Sequence, residues 1–110
     1  RYGTVTGVQT CALPICEEQK YSLAFVGFSR GNEDGNAEIE LTYNYGVSEY
    51  DHGGAYGHIA IAVPDVYKAC EEIASAGGKI TRPAGPVQGG KTLIAFVTDP
   101  DGYKIELIQR

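Results

Sequence analysis

Two tripeptides occur twice in the chain, in the same order. "AFV" stands at 24–26 and again at 95–97, and "IEL" at 39–41 and again at 105–107. Only the loop between them differs in length. Each copy falls in a short run with strand character, "YSLAFVGF" (21–28) and "AEIELTYNY" (37–45) first, "TLIAFVT" (92–98) and "YKIELIQ" (103–109) later. Such self-similarity points to a duplicated unit, and a fold must accommodate both copies in equivalent surroundings. The repeat makes Glu40 and Glu106 equivalent.

The second copy has more in front of it. "HIAIAV" (58–63) alternates as a strand, and "PDVYKACEEIASAGG" (64–78) then changes period. Val66, Cys70 and Ile73 recur at helical spacing, with Ala69 and Ala76 alongside. Asp65 is placed to cap the helix start and Gly77-Gly78 to stop it. "KITRPAGPV" (79–87) follows as a further strand. From His58 the order is therefore strand, helix, strand, strand, strand. An equal step back from the first copy runs past Arg1, so the first copy is expected to lack its opening strand and most of its helix.

With 110 residues, one compact domain is expected, and 43% hydrophobic against 21% charged residues is a globular composition. The net charge is −5 and no basic cluster exists, which argues against nucleic acid and anionic membrane surfaces. No apolar run approaches a bilayer span of ~20 residues and no signal peptide is evident. Three cysteines, Cys11, Cys16 and Cys70, form no framework, so a reducing, cytoplasmic setting is expected. Cys70 faces the helix core by its spacing.

Three residues share a setting. His58 alternates with Ala60 and Ala62, Glu40 with Thr42 and Asn44, and Glu106 with Lys104, so each lies on the less bulky face of its strand. Imidazole nitrogen and carboxylate oxygen suit a divalent transition metal. Solvated outer-face glutamates and a strand-edge histidine are the competing reading. The repeat equivalence of the glutamates leaves the two evenly matched. His52, among glycines, is expected to be an exposed loop residue.

The segments "YSLAFVGF", "IELTYNYGV", "AYGHIAIAVPDVY", "GGKITRPAGPV" and "IAFVTDPDGYKIELIQ", from about Lys20 to Gln109, resemble glyoxalase I, the lactoylglutathione lyases of the vicinal oxygen chelate superfamily. The resemblance implies an α+β fold of paired βαβββ modules: 17–57 as the remainder of a first module and 58–110 as a complete second one. It implies isomerisation of the methylglyoxal–glutathione hemithioacetal to S-D-lactoylglutathione. It implies Glu40, His58 and Glu106 as metal ligands, a fourth histidine ligand having no counterpart. Glu106 is then the base that loosens from the metal and moves the proton. Asn44, with His58 beside it, is placed at the substrate, where Asn44 holds glutathione. Gln88 stands where many relatives carry lysine. The short segment between Asn44 and His58 resembles the forms that favour Ni2+, with Co2+ or Zn2+ as alternatives. A homodimer with shared active sites is implied. Residues 1–16 depart from the family; "GVQTCALPI" resembles a translated sequencing-adapter remnant, and 1–16 is expected to be unrelated or artefactual. A metal-free ligand-binding module or an inactive fragment of the superfamily is the alternative, against which retention of the three ligands counts.

Overall fold

A computed structural model describes residues 9–12, 15–16, 18–28, 35 and 37–110. Most of residues 29–36, a polar stretch between the first two strand-like runs, lies outside the described residues. The chain divides into two compact units, one up to Glu49 and one spanning Tyr50–Arg110.

The second unit has the strand–helix–strand–strand–strand order read from the sequence. β5 (Ile59–Val63) leads into α1 (Val66–Ser75), then β6 (Lys79–Pro86), β7 (Leu93–Thr98) and β8 (Lys104–Gln109), the labels β1–β4 belonging to the first unit. The sheet order is β5-β8-β7-β6, with β5 parallel to β8 and the other pairs antiparallel. A parallel neighbour needs a crossover, and α1 supplies it. The Asp65 side chain accepts the Lys68 N–H at 3.0 Å and caps the helix. The end is a Schellman turn. Gly77 takes φ 88° and the Gly78 N–H donates to the Ile73 carbonyl at 2.8 Å. A Cβ on Gly78 would overlap the Ile73 side chain, so only glycine closes the helix here.

Alternation decides which face α1 covers. Leu107, Ala95, Val97 and Val63 point to the helix and pack with Val66 and Ala69 as a buried core. Cys70 and Ile73 pack against its margin, as their spacing predicts, and burial pushes the Cys70 thiol above the ordinary cysteine range. The opposite face carries Ala60, Phe96 and Glu106, which are register neighbours across β5, β8 and β7. The outer strand β6 shifts register twice around Arg82. That guanidinium holds the irregularity, donating to the carbonyls of Ile94 at 3.0 Å and Pro86 at 2.8 Å.

In the first unit, β3 (Tyr21–Gly27) is flanked on one edge by β4 (Glu38–Asn44). The other edge carries two short strands in tandem, β1 (Gln9–Ala12) and β2 (Ile15–Cys16), both antiparallel to β3. Parts of 1–16 thus occupy the edge of β3 that corresponds to the place of β6 on β7. The repeat is carried into pairing. Ala24, Phe25 and Val26 lie opposite Leu41, Glu40 and Ile39. In the second unit, Ala95, Phe96 and Val97 lie opposite Leu107, Glu106 and Ile105. Among the described residues the first unit has no counterpart of β5 or α1. The cost shows at one position: Leu107 is 1% exposed, while its equivalent Leu41 is 50% exposed. Without the helix, large apolar residues of β3 such as Leu23 or Phe25 would be expected to lie uncovered. They are half-buried instead, and the bare face carries Ile39, Leu41 and Tyr43, because alternation turns Leu23 and Phe25 to the Glu40 side.

Candidate active site

Glu106 stands in the middle of β8, between Ala60 on one side and Phe96 on the other. The alanine leaves space above the sheet, and the phenylalanine walls it. His58 precedes β5 by one residue and reaches the same face. Its Nε2 lies 3.0 Å from Glu106 Oε2. Side-chain exposure is 41% for His58 and 17% for Glu106, so the pair is open on one side and sheltered on the other. The Phe96 ring meets the imidazole edge-on, with centroids 5.1 Å apart and planes at 87°. That contact limits rotation of the histidine ring without using either nitrogen.

Two donors about 2.1 Å from one ion, set at right angles to each other, stand about 3 Å apart. The His58–Glu106 separation matches that, and imidazole plus carboxylate is a suitable donor set for a divalent transition metal. These two residues fit the group. Glu40 and Asn44 lie on β4 of the first unit, where Glu40 is exposed and faces Phe25 across the strand pair, as Glu106 faces Phe96. Among the described residues no group of three or more His, Cys, Asp and Glu is gathered to hold a metal. The structure therefore brings together His58 and Glu106.

His52 differs from its expected place. It is half-buried and stacked on Tyr103, centroids 3.8 Å apart and planes within 14°. The aromatic ring downstream captures it, and the neighbouring glycines leave room for the approach. Tyr56 was not singled out in the sequence. Its ring and that of Tyr103 make a T-shaped contact with centroids 4.9 Å apart, and its hydroxyl donates to the Lys104 carbonyl at 3.1 Å. Nothing local signals that contact, since the partners are 48 residues apart. Phe96 had a signal: the same "AFV" places a phenylalanine opposite each carboxylate. Gln88 and Lys91 are exposed in the β6–β7 hairpin.

Residues 20–107 match the family described as the Glyoxalase/Bleomycin resistance protein/Dioxygenase superfamily. The chain belongs to that superfamily. Within it, the similarity is to the enzymes of glyoxalase I, the lactoylglutathione lyases. The chain is 56% identical to the lactoylglutathione lyase of Haemophilus influenzae over 108 residues, 98% of this chain and 78% of the relative. It is 62% identical to a probable lactoylglutathione lyase of Vibrio cholerae over 108 residues, 98% of this chain and 77% of that one. The crystal structure of glyoxalase I from Zea mays superposes with a TM-score of 0.91 at 54% identity, covering 99% of this chain. The chain spans 38% of the maize chain's length.

Proposed function

We propose that the protein isomerises the hemithioacetal of methylglyoxal and glutathione to S-D-lactoylglutathione, using one divalent metal per site. The observation that carries this reading is the His58–Glu106 pair, 3.0 Å apart on the open face of the second sheet. The similarity to lactoylglutathione lyases supports it. His58, Glu106 and Glu40 would hold the ion, with Ni2+ favoured over Co2+ or Zn2+. A divalent ion held there would supply Lewis-acid stabilisation of the charge that develops on the substrate oxygen.

The remaining work falls to side chains. The reaction moves one proton between neighbouring carbons and the hydroxyl proton from one oxygen to the adjacent one, so no atom is gained or lost. A Glu106 carboxylate oxygen takes the proton from the carbon that bears sulfur and returns it to the next carbon, leaving a thioester. His58 holds Glu106 through the contact at Nε2. Phe96 and Ala60 keep that carboxylate pointed away from the core, and Phe96 shields one side of it from water. Asn44 holds the glutathione part. The protein works as a homodimer with shared active sites, Glu40 entering from one subunit and His58 with Glu106 from the other. Its setting is cytoplasmic. Among the described residues no helix is long and apolar enough to cross a membrane.

The test joins the chain to the N-terminal residues of the Haemophilus influenzae relative, loads it with nickel, and follows thioester absorbance from methylglyoxal and glutathione. Formation well above the uncatalysed rate is expected. A rate equal to the uncatalysed one in the loaded protein rejects the proposal.

A further inference from the structure

His58 lies just outside the strand that should hold it. β5 begins at Ile59, and its first rung on β8 is Ile59 opposite Ile105. The chain leading up to His58 is loose by composition. Gly53, Gly54 and Gly57 fall within five residues, Gly53 at φ 61°, and a Cβ at any of the three would meet nothing within 4 Å. Glycine loses more backbone freedom on ordering than any other residue. A histidine after such a segment is not held in place by its own backbone.

One side chain supplies what the ladder lacks. The Tyr56 hydroxyl donates to the Lys104 carbonyl at 3.1 Å. Tyr56 is two residues before His58, and Lys104 is two residues before Glu106. In the β5–β8 register the next rung after Ile59–Ile105 would set His58 beside Lys104, so the Tyr56 hydroxyl reaches forward to the β8 carbonyl next to His58, just beyond the last backbone rung. It ties the His58 approach to the strand that carries Glu106.

The anchor on the far side is rigid. In "DPDGY" the Asp99 carboxylate accepts the N–H groups of Asp101 at 2.9 Å and Tyr103 at 2.8 Å. Gly102 turns the chain at φ 88°. Tyr103 is thereby fixed ahead of β8, and it meets Tyr56 in a T-shaped contact at 4.9 Å and stacks on His52 at 3.8 Å. The loop is gripped at two points, His52 and Tyr56, on either side of Gly53 and Gly54.

We infer that Tyr56 is a positioning residue, which through Lys104 and Tyr103 fixes His58 at hydrogen-bonding distance from Glu106. The inference rests on reading those two residues as the metal-holding pair. It predicts a local effect rather than a global one, since the Tyr56 hydroxyl touches only the seam.

The experiment compares the whole chain with Tyr56→Phe, which keeps the ring, and Val63→Ala, which weakens the core elsewhere. Two quantities are read: amide hydrogen exchange over residues 57–59, and nickel affinity by calorimetry. For Tyr56→Phe, exchange over 57–59 should quicken roughly two- to tenfold, the range expected for one lost hydrogen bond. Exchange in α1 should stay unchanged, and nickel affinity should fall by a similar factor. Val63→Ala should quicken exchange across the whole unit. Unchanged exchange at 57–59 in Tyr56→Phe overturns the inference, as does a rise that α1 shares in the Val63→Ala pattern. If the parent chain binds no nickel, the metal reading fails, and the exchange comparison alone decides whether Tyr56 positions His58.

Discussion

A carboxylate halfway along a strand of isoleucines and leucine has to face something other than the core. Glu106 does so because alternation sends Leu107 to the helix and turns Glu106 to the open side, beside Ala60 and Phe96. Its proposed task needs an oxygen that accepts and releases a proton. Glu106→Gln keeps the shape and removes that ability, since an amide nitrogen cannot take the proton and the amide oxygen is a poor base. Turnover should fall by ~100-fold or more, the usual loss when a positioned acid–base group is removed. Metal binding should weaken less, because His58 and Glu40 remain. Steady-state turnover and nickel calorimetry on the same preparation check both parts. A variant within tenfold of the parent in turnover removes Glu106 from the base role.

The elements were legible where residues alternate or cap. β3, β4, β7 and β8 follow their period-two runs, and α1 begins and ends where Asp65 and Gly77 signal. β1 and β2 were not, because "RYGTVTGVQTCALPIC" shows no period and the pairing of Gln9–Ala12 and Ile15–Cys16 is set by the free edge of β3. The site divides the same way. Strand position made His58, Glu40 and Glu106 candidates and the repeat paired the two glutamates, but their role as ligands came from the resemblance to glyoxalase I. The Tyr56–Lys104 and His52–Tyr103 contacts could not be read at all, since they depend on how a glycine-rich segment folds back onto β8. The duplicated strands also isolate the worth of α1. Leu107 and Leu41 sit in the same tripeptide at the same rung, yet one is covered and the other bare. Leu107→Ala should destabilise its unit by about 2–5 kcal/mol, the range for a buried leucine. Leu41→Ala should cost about 0.5 kcal/mol, as at exposed positions. Urea unfolding of each variant measures the two values, and equal losses would mean that Leu41 is buried in solution.

Across the molecule, the three proposed ligands fall on different copies of the repeat, Glu40 on the first and His58 with Glu106 on the second. The described residues gather His58 with Glu106 but no third donor, and the proposed dimer supplies Glu40 from the partner subunit. Mixing Glu40→Gln chains with Glu106→Gln chains, after exchange of subunits, should then restore activity. A heterodimer of these two has one doubly altered site and one intact site. Exchanged heterodimers that stay inactive would show that each site is built within one subunit. The matched rungs offer a spectroscopic way to see the same thing. The chain has three phenylalanines, and two of them, Phe25 and Phe96, stand opposite Glu40 and Glu106. With fluorinated phenylalanine the protein carries a reporter beside each carboxylate and Phe28 as an internal reference. A nickel titration that shifts both resonances at one stoichiometric point reads a single ion touching both copies of the repeat. A shift at Phe96 alone reads an ion held by the second copy only.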